Sequence, residues 1–154
     1  MERNKNIFDK IGSLIPGYRG YAERDGRRNS DKVLRDRIAD HISECVSILN
    51  TRLKNEAKNN NLDSLQELEE CRQELSTLAD KIRYASYGES SFFSDSQIKE
   101  EELQNIYQLD YDLFLLLKES EKRFIETSVS DMHEYIGSVE SMLKKRNDFI
   151  KGCK

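Results

Sequence analysis

The chain has 154 residues, 35% of them charged, with a formal net charge of -4 and a mean hydropathy of -0.80. This length suits one domain with a real core, and apolar residues recur at helical spacing, which excludes a disordered chain. The longest apolar run covers residues 113–117, whereas a membrane-spanning helix needs roughly 20 residues, so we expect no transmembrane segment.

The N-terminal part is predicted to form a short amphipathic helix over residues 4–15. Its apolar side chains share one face of the helix. They are Ile7, Phe8, Ile11, Leu14 and Ile15. Pro16 ends this helix, and residues 17–21 form a turn in which Gly17 and Gly20 adopt positive φ at little cost. We expect the apolar face to be covered by the chain's own bundle, by a second copy or by an external partner.

A first long helix is predicted from Ser30, with Asn29 or Ser30 as its cap, to about Lys58, because apolar residues step by three and four along it. An earlier start near Tyr21 is the alternative. Ion pairs at i, i+4 spacing support that earlier start, and the glycine at Gly26 opposes it.

A second long helix is predicted to follow a turn at residues 59–61. Asp63 and Gln66 resemble a capping box at its start, and its apolar pattern ends near Ala85. Residues 86–96 then form the one substantial internal loop.

The apolar pattern that starts near Gln97 continues to residue 151. A single helix of that length would be about 80 Å long at roughly 1.5 Å per residue, twice the length of any helix available to cover it. We therefore predict a break at residues 127–130, where Thr and Ser side chains compete for backbone hydrogen bonds, and a fourth helix capped by Asp131.

Four helices with short connections favour an all-α, antiparallel up-down four-helix bundle, and an elongated three-helix coiled coil is the alternative. Residues 1–29 then form an N-terminal segment, and residues 30–154 form the helical bundle. The pattern predicts one shared core made of Leu34, Ile38, Leu49, Leu68, Leu75, Leu78, Leu113, Leu117, Met132, Ile136 and Leu143.

Histidine and cysteine supply the candidates for metal or nucleophilic chemistry. His41 and Cys45 lie one helical turn apart, and a site would need Cys71 or His133 to converge on them. The Glu-x-x-His motif of di-iron bundles and glycine-rich phosphate loops are absent from the sequence. We therefore expect neither a metal nor another cofactor, and no catalytic residues.

Two segments are candidates for an interaction surface. Residues 1–37 hold ten Lys and Arg against six Asp and Glu, and several of these bases share a helical face. Aromatic side chains crowd the loop at residues 86–96, where an exposed Phe-Phe pair would anchor a partner. The structural alternatives are arginines paired with neighbouring acids and a Phe-Phe pair that plugs the bundle end. The candidate residues are Tyr18, Arg19, Tyr21, Arg24, Arg27, Arg28, Lys32, Arg35, Tyr87, Phe92 and Phe93.

The same two segments carry a resemblance. Residues 15–21 have the sequence IPGYRGY, residues 27–35 have RRNSDKVLR, and residues 83–88 have RYASYG before Phe92 and Phe93. This combination resembles a family of uncharacterised bacterial all-helical proteins. The resemblance implies a helical chain and draws attention to these segments, and it brings no established activity, substrate or cofactor.

Together these patterns predict a non-enzymatic module that binds another protein or a second copy of itself. Binding of an anion or a nucleic acid through the basic N-terminal stripe is the alternative, although a pI near 5.4 argues against general nucleic-acid affinity. The three cysteines are an odd number placed mostly within helical patterns, which favours a reducing compartment. We therefore expect a cytoplasmic protein.

Overall fold

The computed structural model describes residues 7–85, 98–125 and 128–152. Within these ranges the chain forms five helices and no strand, so the all-helical prediction is confirmed. The helices are α1 (Ile7–Leu14), α2 (Arg24–Lys58), α3 (Leu62–Arg83), α4 (Glu100–Phe124) and α5 (Val129–Gly152). None of the helices in the described ranges combines the length and the apolar character needed to cross a bilayer.

The hairpin of α2 and α3 is the most extensive helix pair in the bundle. Its turn lies at residues 59–61, as predicted, and Asn60 adopts a φ of 56° there, a left-handed conformation that asparagine tolerates. The predicted capping box is wrong, because α3 already begins at Leu62 and its N-cap residue, Asn61, makes no side-chain capping bond. Asp63 instead lies in the first turn, where its charge interacts favourably with the helix dipole.

Successive long helices run antiparallel, but α2 and α4 lie side by side and run parallel. Near their starts the Tyr21 N–H donates to the Tyr107 hydroxyl at 3.1 Å, and near their ends Arg52 Nη1 donates to the Phe124 carbonyl at 3.1 Å. Helix α5 packs on α4 and, less extensively, on α3. The four helices therefore follow the order α2, α3, α5, α4 around the bundle.

The predicted break between the third and fourth helices of the bundle is confirmed, since α4 ends at Phe124 and α5 begins at Val129. The capping residue is Ser128 rather than Asp131. The Ser128 Oγ accepts a hydrogen bond from the Asp131 N–H at 3.3 Å. A hydroxyl just before a helix satisfies an N–H group that has no partner within the helix, which explains the correction.

One core joins all five described helices. The predicted core residues are all buried except Leu143, which is half-buried. The core also includes residues from the N-terminal segment, namely Ile11, Ile15, Tyr18 and Tyr21.

The described part of the N-terminal segment, residues 7–29, therefore folds onto its own bundle. Helix α1 packs on α4, and the ring centroids of Phe8 and Tyr107 lie 5.5 Å apart. Helix α2 begins at Arg24, so the alternative with the earlier start is the one observed, and the boundary predicted between residues 29 and 30 lies inside a helix. Tyr18 and Tyr21 belong to the bundle core rather than to a separate segment.

Deletion of residues 1–16 is expected to lower the melting temperature without changing the oligomeric state. Ile11 and Ile15 are each 1% exposed, and burial of one large apolar side chain contributes roughly 1.5–3 kcal/mol. Differential scanning calorimetry and analytical ultracentrifugation of the full and shortened chains measure both quantities. An unchanged melting temperature would contradict the packing of α1 on α4.

Candidate functional site

A buried ion network lies between the starts of α2 and α4 and the end of α5. We define it as Asp31, Asp110, Arg146, Tyr18 and Tyr21. Arg146 Nε donates to Asp110 Oδ1 at 2.6 Å, and its Nη2 donates to Asp31 Oδ1 at 2.7 Å. Asp110 Oδ2 accepts from the hydroxyls of Tyr18 at 2.9 Å and Tyr21 at 2.5 Å. Asp110 is 0% exposed and Arg146 is 1% exposed, so solvent does not reach the pair.

Mutual pairing keeps these groups in defined protonation states. Burial raises the pKa of the Asp110 carboxyl, while Arg146 and the tyrosine hydrogen bonds oppose that rise. Burial would lower the pKa of Arg146, but Asp110 and the other neighbours raise it well above its usual value, so the guanidinium stays charged. Burial and the adjacent Asp110 raise the pKa values of Tyr18 and Tyr21, so both phenols remain hydrogen-bond donors.

This network corrects part of the predicted interaction surface. Tyr18, Tyr21 and Arg27 are 5%, 0% and 3% exposed, so they form part of the core rather than of a surface. Arg27 Nε donates to the Tyr21 carbonyl at 2.8 Å. The turn at residues 17–21 buries its tyrosines because Asp110 and Arg146 offer partners for the two hydroxyls.

Arg35 also makes hydrogen bonds within the fold, and most of its side chain is buried. Its Nε donates to Asp31 Oδ2 at 2.8 Å and its Nη1 donates to the Ile82 carbonyl at 3.1 Å, with 13% of its side chain exposed. The exposed members of the predicted surface are Arg19, Arg28 and Lys32. Tyr87, Phe92, Phe93 and the side chain of Arg24 lie outside the described part of the chain.

The structure brings Cys71 and His133 together across α3 and α5. Cys71 Sγ lies 3.6 Å from His133 Nε2, and His133 Nδ1 lies 3.4 Å from Glu74 Oε2. A cysteine, a histidine and a carboxylate in this order are typical of nucleophilic catalysis. The thiol is 0% exposed, however, and burial, with a further contribution from Glu74, raises its pKa to about 11. An activated nucleophile needs the opposite shift.

The other predicted pair, His41 and Cys45, lies elsewhere in the bundle. Cys45 is buried in the core, and the His41 ring packs edge-on against Phe114 with centroids 5.4 Å apart. The two pairs do not converge. In residues 7–85, 98–125 and 128–152 no three His, Cys, Asp or Glu side chains are placed to hold a metal ion.

Alkylation of Cys71 by iodoacetamide is expected to be slow at neutral pH and to accelerate up to about pH 11, because only the thiolate reacts. At pH 7 about one molecule in ten thousand carries the thiolate at this pKa.

The pKa of Cys71 is higher in the folded chain than in the unfolded chain, so the protonated thiol contributes to the stability of the fold. This contribution is fully present below the pKa of the unfolded chain, and it is lost as the pH rises toward about 11.

Mass spectrometry of the Cys71 peptide measures that rate, with the unfolded chain in urea as the control. Rapid native alkylation at pH 7 would show that the thiol is activated, and the catalytic interpretation would then replace the structural one.

A groove of about 920 Å³ runs along the outside of the bundle between α3 and α5. It exists because these two helices form the least extensive of the packed helix pairs. Apolar side chains contribute to its floor, and they are Ile38, Leu78, Ile82 and Leu143. Of these, Leu143 is half-buried and the other three are buried, and the exposed Thr77 on α3 lines the groove beside them.

Charge is unevenly placed along this groove. On α3 the lining residues change from Glu70 and Glu74 to Lys81, and on α5 they change from Glu140 to Lys144 and Lys151. The two helices run in the same direction, because His133 near the start of α5 contacts Cys71 and Glu74 in the first half of α3. Glu70 and Glu74 therefore lie at one end of the groove, and the lysines lie at the other end.

Arg146 also lines the basic end of the groove and thereby connects it to the buried ion network. Asp148 lies at the same end and accepts a hydrogen bond from Lys144 Nζ at 2.9 Å. Sequence reasoning did not identify this groove, because its lining residues come from three helices whose separation follows from packing.

No family model, curated protein or solved structure matches the chain.

Proposed function

We propose that the protein is a non-catalytic helical module that binds a helical segment of another protein in the α3–α5 groove. The observation that carries this proposal is the apolar floor of the groove with charged residues on both rims. Grooves of this kind accept the apolar face of an amphipathic helix, while polar rims select among partners.

The chemistry of the titratable groups supports binding over catalysis. The buried ion network is closed to solvent, so no substrate reaches its carboxylates. The Cys71 thiol has a raised pKa and is buried, which leaves His133 and Glu74 without a reactive nucleophile beside them.

The basic N-terminal stripe supports an anion-binding or nucleic-acid-binding role less well. Arg27 and Arg35 make hydrogen bonds within the fold and are 3% and 13% exposed. Lys32 lies 4.0 Å from Asp36, which reduces the positive charge that a phosphate would meet.

A cytoplasmic setting belongs to the same proposal. Cys45 and Cys71 are both buried as free thiols. Free buried cysteines are typical of proteins in reducing compartments.

Affinity capture from the source organism tests the binding proposal. Thr77→Arg places a long charged side chain in the groove, and Gln104→Arg places the same side chain on the exposed face of α4. We expect a stoichiometric protein partner with the native chain and with Gln104→Arg, and its loss with Thr77→Arg. Equal recovery with both variants would place the partner elsewhere and contradict the proposal.

A further inference from the structure

We propose that the partner helix is acidic in its N-terminal half and basic in its C-terminal half, and that it docks antiparallel to α3 and α5. This inference rests on the proposed function and adds the chemistry and direction of the partner. It follows from the charges along the groove, from the intrinsic stability of helices and from the direction of the neighbouring helices.

The two ends of the groove differ in charge. At the end where α3 and α5 finish, the lining holds Lys81, Lys144 and Lys151 and one acid, Asp148, which binds Lys144 at 2.9 Å, so this end is net positive. Glu70 and Glu74 gather at the opposite end. Since like charges placed across an interface are costly, a partner must offer acidic groups to the lysine end and basic groups to the glutamate end.

The helix dipole of the partner favours acidic residues at one of its ends. An isolated helix is more stable with Asp and Glu in its first turns and Lys and Arg in its last turns, because these charges complement the helix dipole. A helix of that kind satisfies the groove only if its N-terminus lies at the lysine end. The partner helix is then antiparallel to α3 and α5 and parallel to α2 and α4.

The size of the groove sets the length of the partner. Its lining on α3 extends from Glu70 to Ile82, and Ala85 lies just past the end of the helix. At about 1.5 Å per residue the helical part is roughly 18 Å long, or a little over three turns. The apolar floor residue Leu78 lies near the middle, so the partner needs its apolar stripe in its central turns.

A displayed library of 18-residue amphipathic peptides, randomised at charged and apolar positions, tests this inference on the full chain. The counter-selection uses the double variant Glu74→Lys with Lys144→Glu. Both side chains are exposed, so we expect the double variant to fold like the native chain, which its melting temperature checks. Thr77→Arg is the second comparison, because it blocks the groove without changing the charge order of the rims.

The expected result is enrichment of peptides with an acidic first half and a basic second half. Their binding should weaken roughly tenfold on the double variant at low ionic strength, and the difference should shrink with added salt. Enrichment of the reversed charge order, lost on Thr77→Arg, would overturn the direction while groove binding stands. Failure to enrich any peptide, or enriched peptides that bind Thr77→Arg unchanged, would overturn both proposals.

Discussion

Replacing Arg146 by methionine is expected to lower the free energy of unfolding by about 3–5 kcal/mol. Arg146 is the cation between Asp31 and Asp110, with nitrogen–oxygen distances of 2.7 Å and 2.6 Å. Removing it leaves Asp110 in a solvent-free region with no cation beside it, while Asp31 keeps Arg35 at 2.8 Å. A buried unpaired charge is among the most costly defects a fold can carry. Urea denaturation followed by circular dichroism measures the loss.

Two comparisons separate the charge from the packing of the side chain. Lys145→Met removes a neighbouring exposed charge and is expected to change stability by less than about 0.5 kcal/mol. The loss of stability caused by Arg146→Met should shrink as the pH falls, because burial raises the pKa of the Asp110 carboxyl and its protonation removes the unpaired charge. A deficit below about 1 kcal/mol, or one independent of pH, would contradict the role given to the buried ion network.

Gly20→Ala is expected to destabilise the fold by about 2–4 kcal/mol. Gly20 adopts a φ of +78°, and a Cβ atom there would lie 2.5 Å from the Tyr107 hydroxyl oxygen and 2.7 Å from a ring carbon of Phe8. The substitution therefore strains the backbone. It also displaces either α1 or Tyr107, whose hydroxyl accepts the hydrogen bond from the Tyr21 N–H.

Gly26→Ala is the matched control for this substitution. Gly26 lies in the first turn of α2, and a Cβ atom there would meet nothing within 4 Å. Alanine should raise stability by about 0.5–1 kcal/mol, because it loses less backbone entropy in a helix than glycine does. Equal melting temperatures for the two variants would show that the turn at residues 17–21 tolerates a side chain.

Helical periodicity was sufficient to predict most of the bundle. Leu75 and Leu117 lie on apolar stripes that each helix must bury, so their positions in the core follow from spacing alone. The break before Val129 followed from a length argument, since a single helix could not be covered by the others. These features depend on local pattern and on chain geometry, which a sequence contains.

The buried ion network was missed, although the sequence carries a signal for it. Asp110 lies midway between the core residues Ile106 and Leu113, and Arg146 interrupts the stripe between Val139 and Ile150. A charged residue in an apolar phase indicates a buried partner of opposite charge. The identity of that partner depends on which helices meet, and pattern alone does not supply it.

The predicted surface was partly wrong for the same reason. Tyr18, Tyr21 and Arg27 lie in a basic, glycine-rich stretch, a composition that is typical of exposed loops. The two tyrosines are buried because their hydroxyls form hydrogen bonds with Asp110 and Arg146, which lie far along the chain. The α3–α5 groove was equally beyond prediction, because it depends on how closely two helices approach each other.

Photo-crosslinking in living cells of the source organism tests the central claim most directly. The photoreactive residue benzoylphenylalanine is placed at Gln73 on the exposed rim of the groove, at Arg28 on the exposed basic stripe, or at Gln104 on α4. We predict one discrete protein adduct from Gln73 and none from the other two positions. An adduct from Arg28 with none from Gln73 would contradict the assignment of the α3–α5 groove as the binding surface.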